Sequence, residues 1–137
     1  MFPVSHSKII SLSTLLILVA CSCAPQTDLS ETHIAFEKGA IQANVIGELN
    51  GFDQELSYVI AVGHDQTMMI KQVDAGERRI TLNIVAPNGE DVTDMDAGCN
   101  GNKTVSPTIK GDYKIKVFEC MKADPWDGSF TLNVRVE

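Results

Sequence analysis

Apolar and polar residues alternate with a period of two along much of the chain. Successive side chains of a strand point to opposite faces, so this period predicts strands that each bury one face. The pattern is sharpest in residues 113–118 and 130–136, where almost all residues between the apolar positions are polar, and it is clear again in residues 80–86. Weaker patterns predict strands near residues 34–36, 43–49, 56–62, 67–73 and 103–108.

Short clusters of glycine, asparagine, aspartate and proline separate these segments, as turns require. Such clusters are Asn50-Gly51, Gly63-His64-Asp65, Asp74-Ala75-Gly76, Pro87-Asn88-Gly89 and Lys110-Gly111-Asp112. About seven or eight short strands at spacings near ten residues are typical of an all-β protein. The sequence therefore predicts a small antiparallel β-sandwich.

The first residues have the three parts of a secretory signal. A single base, Lys8, precedes an apolar stretch over residues 9–20, which is short for a bilayer span of about 20 residues. The stretch ends in Leu18-Val19-Ala20-Cys21, which resembles the lipobox of bacterial lipoproteins. In that motif the cysteine is acylated and becomes the N-terminus, so Cys21 is the predicted lipidation site. Ordinary cleavage nearby, which leaves a soluble periplasmic protein, is the alternative.

This N-terminus divides the chain and predicts its location. We expect a lipoprotein signal peptide over residues 1–20, a lipidated N-terminus and polar tether over 21–32, and one β-sandwich domain over 33–137. Ser22 stands where, in many such bacteria, an aspartate marks retention at the inner membrane. The periplasmic face of the outer membrane is therefore favoured.

Removal of the signal makes the chain more acidic. The full chain has 11 bases and 18 acids, and only Lys8 leaves with the signal, so the formal charge moves from −7 to −8. Nucleic acids and anionic lipids attract basic patches, so we expect neither as a partner and membrane contact only through the acyl anchor. A cationic protein partner would be attracted, although acidic surfaces commonly serve solubility alone.

Export places the cysteines in an oxidising compartment. We therefore expect a disulfide between Cys99 and Cys120, which closes a loop of about 20 residues and stabilises the fold by roughly 3 kcal/mol. Cys99 lies in the long acidic segment 87–102, and Cys120 follows the strand predicted at 113–118. The bridge is thus predicted to hold that segment at one end of the sandwich, and Cys23 is left over beside the membrane.

The sequence lacks the patterns that carry catalysis. It has no Gly-x-Ser-x-Gly elbow, and the two histidines of the mature chain, His33 and His64, lack the spacing of metal ligands. We therefore expect no enzyme activity and no cofactor. Asp94 and Asp96 are weak Ca²⁺ candidates, because their glycine-containing loop offers carboxylate oxygens but departs from the EF-hand pattern. A solvated turn is the alternative.

The segment "ECMKADPWDG", residues 119–128, joins the two strongest strands and carries the only tryptophan. An exposed tryptophan on a loop is the type of side chain that anchors protein interfaces, so Trp126 is a candidate contact. Lys122 in the same loop is a candidate to pair with a carboxylate of a partner, with a merely solvated surface lysine as the alternative. Alternatively, Trp126 folds back over the open end of the sandwich.

Several motifs are similar to those of the bacterial periplasmic inhibitors of g-type lysozyme. They begin with Phe36-Glu37-Lys38-Gly39 and the stretch "GELNGFD" at residues 47–53. Farther on, "APNGEDV", "IKGDYKIKV" and "GSFTLNVRV" resemble both that family and the pre-peptidase C-terminal β-sandwich domains. The resemblance spans about residues 34–136. It implies a sandwich that binds lysozyme at one end and places loop side chains in the substrate cleft.

The resemblance also assigns partner-binding residues. Phe52 stands where the family has a loop aromatic, and the loop with Lys122 and Trp126 stands where it offers arginines. Lys110 and Tyr113 stand in the family's Ser-Gly-x-Tyr motif, with Lys110 in place of the serine. Tyr113 is also expected to be a core or corner tyrosine, because it opens a strand whose alternation points inward.

The sequence thus predicts a lipid-anchored periplasmic protein that inhibits a lysozyme of g-type by occluding its cleft. One alternative is a stand-alone pre-peptidase-like accessory domain that binds Ca²⁺ or carbohydrate. Another is an immunity protein against a different wall hydrolase, which would share the fold and the compartment.

Overall fold

The computed structural model describes residues 30–51, 54–73, 79–94, 96–120 and 127–137. Cys21, with the predicted signal and most of the tether, lies outside these residues, as do Phe52, Lys122 and Trp126. Within the described ranges there is no helix that is long and apolar enough to cross a membrane. The described strands are β1 (Thr32–His33), β2 (Gln42–Asn50), β3 (Glu55–Val62), β4 (Met68–Gln72), β5 (Ile80–Val85), β6 (Asn102–Val105), β7 (Gly111–Glu119) and β8 (Asp127–Val136).

The strands form two four-stranded sheets, with the order β1-β3-β7-β5 in one and β2-β8-β4-β6 in the other. Every pairing is antiparallel except that between β1 and β3, which is parallel. The sheets pack face to face, and the residues of β5, β7 and β8 alternate between buried and less buried positions. The predicted all-β sandwich is confirmed.

One predicted strand is displaced. A strand was expected at residues 34–36, but β1 comprises only Thr32 and His33. The Ile34 amide still donates a hydrogen bond to the Val59 carbonyl at 2.8 Å, after which the chain leaves β3 and crosses to the other sheet. Ile34 and Phe36 pack against the core from this crossing, which explains their apolar spacing without a ladder. β1 also begins just before the predicted domain start at residue 33.

The core lies between the sheets and consists of the inward residues of the strands. Its largest fully buried side chains include Tyr113, Phe130, Leu49 and Met68, together with leucines, isoleucines and valines of β4, β5, β7 and β8. Burying such side chains contributes roughly 1.5–3 kcal/mol each relative to leaving them exposed. The hydrophobic effect over this interface therefore drives the two sheets together.

The connection between β5 and β6 covers an edge of the first sheet. It runs back along β5, where the Val92 amide donates to the Ile84 carbonyl at 2.9 Å and the Leu82 amide donates to the Ala97 carbonyl at 3.0 Å. Ala97, which is part of this connection, is fully buried. This connection satisfies backbone groups that an edge strand would otherwise expose, and it carries the chain from one end of the sandwich to the other.

Candidate functional site

The strand directions give the sandwich two different ends. We call one the loop end, defined by the last residues of β2, β4 and β7, which are Asn50, Gln72 and Glu119. Three connections start there, the β2–β3, β4–β5 and β7–β8 connections. We call the other the turn end, defined by Val62 and Gly111, which pair across β3 and β7.

The segments that contain Phe52, Lys122 and Trp126 all join the described sheets at the loop end. Asn50, the last residue of β2, is paired with Asp127, the first residue of β8. The side-chain positions of the three predicted contacts are outside the described residues. Their common end follows from the strand pairing alone.

The predicted disulfide is confirmed, and it lies at the loop end. Cys99 and Cys120 are bonded, with their Cα atoms 4.9 Å apart. Cys99 has a left-handed backbone with φ of 56°, and its amide donates a hydrogen bond to the Thr81 hydroxyl at 3.1 Å. The bridge fixes the β5–β6 connection against the residue from which the loop with Lys122 and Trp126 departs.

Two polar side chains are buried under the loop end. The side-chain oxygen of Gln72 accepts a hydrogen bond from the Ile80 backbone amide at 3.1 Å. The backbone amide of Gln72 donates to the Gly101 carbonyl at 2.7 Å. Glu119, the last residue of β7, is also buried and faces the interior. Gln72 therefore links β4 to the end of the β4–β5 connection and to the end of the β5–β6 connection. These bonds fix the chain where the loops of this end begin.

A polar depression of about 310 Å³ opens on one side of the loop end. It is lined by Lys71, Arg79, Asp96, Asn100 and Asn102. Two bases and two amides can meet carboxylate or hydroxyl groups, while Asp96 can meet a base. Sequence reasoning missed Lys71 and Arg79, because an isolated base in an exposed position looks like any solvated surface residue.

The turn end, by contrast, is closed by hydrogen bonds. Thr108 is buried there, and its hydroxyl donates to the Gly63 carbonyl at 2.9 Å while it accepts from the Gln66 amide at 3.0 Å. The amide of Thr108 also donates to the Gln66 carbonyl at 2.8 Å. These bonds join the β3–β4 and β6–β7 connections into a single rigid cap.

Lys110 and Tyr113 belong to this turn end. Lys110 is exposed, whereas the Tyr113 ring is 1% exposed and lies in the core. The Tyr113 hydroxyl accepts a hydrogen bond from the Ile109 amide at 3.0 Å, so the tyrosine holds the turn that presents Lys110. The corner position expected for Tyr113 agrees with this geometry. Its contact with a partner stays a prediction and would act through the turn.

The two ends are too far apart for one small contact. β7 runs from Gly111 to Glu119, and nine residues of strand span about 30 Å. Lys110 therefore lies a whole strand length from the loop that carries Lys122. The structure brings the segments of Phe52, Lys122 and Trp126 to one end and separates Lys110 from them.

The calcium candidates are engaged within the chain. One Asp94 oxygen pairs with the Lys103 ammonium, and the other accepts from the amides of Asp96 and Ala97 at 3.1 and 3.3 Å. Among the described residues, no three histidine, cysteine, aspartate or glutamate side chains form a group that could hold a metal. Calcium binding by Asp94 and Asp96 stays a prediction without support from this geometry, and the turn interpretation accounts for both residues.

We expect Asp94 to make stability depend on pH. The hydrogen bond from Lys103 lowers the pKa of the Asp94 carboxyl below its usual value, with smaller contributions from the charge of Lys103 and the backbone amides of Ala97 and Asp96. Stability from this carboxylate is present above the unfolded pKa, near 4, and is lost as the pH falls through the lower folded pKa. Asp94→Asn should therefore lower the melting temperature at neutral pH and have no effect near pH ~1–2.

Melting curves of Asp94→Asn and the parent chain across this pH range test the prediction. Asp112→Asn removes the same charge from an exposed position of β7 and gives the background. A melting difference for Asp94→Asn that is the same at neutral and at strongly acidic pH would show that the Lys103 pair contributes nothing.

The described elements define a class of protein, a disulfide-linked β-sandwich with a closed turn end and a loop-bearing opposite end. No protein-family profile and no curated relative matches the sequence. Three solved structures of PliG, a periplasmic inhibitor of g-type lysozyme, are similar to it.

The PliG of Aeromonas hydrophila superposes with a TM-score of 0.63 at 24% identity, over 79% of this chain and 96% of that chain. The PliG of Salmonella Typhimurium gives 0.55 at 18% identity, over 78% and 97%. A mutant PliG of Escherichia coli gives 0.56 at 16% identity, over 78% and 97%. The fold that the sequence motifs implied is confirmed by these structures.

Proposed function

We propose that this protein is a periplasmic inhibitor of g-type lysozyme and that it binds the lysozyme through the loop end. The observation that carries the proposal is the superposition with PliG from Aeromonas hydrophila, which extends over almost all of that inhibitor. The motifs of residues 34–53 resemble the same family independently of the coordinates. Inhibition by occlusion of a cleft requires no catalytic residue.

The loop end is the better binding surface of the two. The turn end is cross-linked by Thr108, which joins its two connections by hydrogen bonds. The loop end carries the connection with Trp126 and Lys122, whose base is fixed by the disulfide, and it opens into the polar depression beside Arg79. A fixed attachment point lowers the entropy cost of ordering the loop on binding.

The charge of the protein supports a cationic partner. Without Lys8 the chain carries 10 bases and 18 acids, a formal charge of −8. Complementary net charge raises the rate of association, and this effect weakens as the ionic strength rises. A cationic lysozyme is thus drawn to this domain at low salt, while the contacts at the loop end decide which lysozyme is held.

Lipidation at Cys21 places the inhibitor at the periplasmic face of the outer membrane. The lipobox-like Leu18-Val19-Ala20-Cys21 supports this location. The polar residues that follow serve as a tether, so that the domain reaches the wall that the lysozyme attacks. Labelling with a fatty acid in cells, which Cys21→Ser abolishes, is the expected result.

Two variants with the same charge change locate the binding surface. In clearing assays of a cell-wall suspension with g-type lysozyme, the double variant Lys122→Ala/Trp126→Ala should raise the inhibition constant by at least ~30-fold, because such anchors contribute about 2 kcal/mol or more. Lys110→Ala at the turn end should leave the constant within about twofold, as expected of a residue outside an interface.

Each outcome has a distinct meaning. A large loss from Lys110→Ala with none from the loop-end variant would place the interface at the turn end and refute the proposed surface. Failure of the parent protein to inhibit any g-type lysozyme would refute the proposed function. The hypothesis to test next would then be that the protein is an immunity protein against another wall hydrolase.

A further inference from the structure

The outer edge of β2 is paired with no strand along its whole length in the described part of the sandwich. The edge of β5 is covered by the β5–β6 connection, and β6 is only four residues long. The edge of β3 is paired with β1 over Tyr58 and Val59. β2 is nine residues long, pairs with β8 on one side, and has no described strand on the other.

The hydrogen-bond phase shows which groups of β2 face that edge. The Val136 amide donates to the Ile41 carbonyl at 2.8 Å, which continues the β2–β8 register. In an antiparallel pair the bonded positions alternate, so the odd-numbered residues of β2 bond to β8 and the even-numbered residues face away. The Asn50 amide agrees with this, because it donates to the Gln54 side chain at 2.6 Å instead of to β8.

An exposed apolar side chain lies at the centre of the bare edge. Ile46 is 74% exposed, the highest value among the exposed large hydrophobic residues, and it is an even-numbered residue. Beside it, Thr131 of β8 continues the row, followed by Val73, whose amide donates to the Thr131 carbonyl at 3.0 Å. Edge strands are usually protected by lysine, proline or a bulge. β2 has none of these and only one charged residue, Glu48.

We propose that β2 pairs with β2 of a second copy of this chain, antiparallel and about a two-fold axis at Ile46. In this register Ile46 faces Ile46 of the other copy, and Asn44 faces Glu48 of the other copy. All three positions are even-numbered, so each pair exchanges two backbone hydrogen bonds. The two four-stranded sheets become one continuous eight-stranded sheet.

A second copy fits this edge better than an unrelated strand for two reasons. The register is self-complementary, because it covers both Ile46 side chains at once and closes as a two-fold dimer. It also places no like charges opposite each other, since each Glu48 faces an uncharged Asn44. The two loop ends point in opposite directions in this dimer, so the inference is independent of the proposed lysozyme binding.

Cysteine cross-linking in cells that export the full chain tests the register. Directly opposed residues of a bonded pair have Cα atoms about 5.5 Å apart, within the roughly 4.4–6.8 Å that a disulfide bridges. Ile46→Cys should therefore give a disulfide-linked dimer on mild oxidation, and Ile46 is exposed enough to tolerate the change. The parent chain, treated identically, gives the background from its native cysteines.

Asn44→Cys is the matched control, because position 44 faces position 48 and the two introduced thiols lie about 13 Å apart. It should give no dimer alone and should give one when co-expressed with Glu48→Cys. An Ile46→Cys chain that remains monomeric, links to a different protein, or dimerises no more than Asn44→Cys would overturn the proposal. In sedimentation, the parent chain should show a dimer that Ile46→Lys converts to monomer, and a monomeric parent would also overturn it.

Discussion

Replacing Gly47 by alanine is expected to lower the free energy of unfolding by about 3 kcal/mol. A Cβ atom on Gly47 would lie 2.3 Å from Cζ of Phe130 and 2.5 Å from the Tyr58 hydroxyl oxygen. Both rings are buried between the sheets, so neither can move without opening the core. Phe130 is on β8, directly opposite Gly47, and overpacking would strain the longest strand pairing of the second sheet.

Thermal unfolding of Gly47→Ala measures this cost. The melting temperature should fall by more than ~10 °C for a domain of this size. Glu48→Ala changes the next residue of β2, whose side chain is exposed, and should change the melting temperature by no more than about 2 °C. A Gly47→Ala chain as stable as the parent would mean that Phe130 does not pack over β2 as described.

Removing the disulfide is the second change with a large expected effect. Cys99→Ser/Cys120→Ser should lower the free energy of unfolding by about 3 kcal/mol, because the bridge closes a chain segment with a sequence separation of 21. It should also weaken lysozyme inhibition more than the stability loss explains, since Cys120 anchors the loop with Lys122 and Trp126.

Denaturant unfolding and inhibition assays below the melting transition separate the two effects. Cys23→Ser is the matched control, because it removes a cysteine that is not in this disulfide, and both readouts should be unchanged. If the double variant lost less than ~1 kcal/mol, the bridge would stabilise far less than loop closure predicts. If it inhibited as well as the parent, the loop would not depend on its anchor.

The long strands could be predicted from alternation because one face of each is turned towards the core. Residues 113–118 and 130–136 became β7 and β8, whose inward positions are buried almost throughout. β1 could not be placed, because it is held by backbone bonds to Tyr58 and Val59 and its own side chains are exposed. Backbone pairing leaves no pattern in the side chains. The path of the β5–β6 connection along β5 was hidden for the same reason.

The site was only partly predictable. Cysteine pairing followed from export and count, and the disulfide is present. The strand predicted at residues 113–118 already separates Lys110 from the loop with Lys122. The sequence could not show that the connection with Phe52 joins the sheets at the same end as that loop, because this depends on the pairing of β2 with β8. Gly47 stood out only as part of a motif. The need for glycine there comes from the close approach of Phe130, which is far along the chain. Lys71 and Arg79 line one depression although they flank the β4–β5 connection, which leads from one sheet to the other.

The central claim is tested most directly by titrating the exported mature protein, with its disulfide formed, against g-type, c-type and i-type lysozymes while cell-wall clearing is followed. The account predicts inhibition of the g-type enzyme, saturating near one to one, and none of the other two. Full clearing by the g-type enzyme in the presence of excess protein would contradict it.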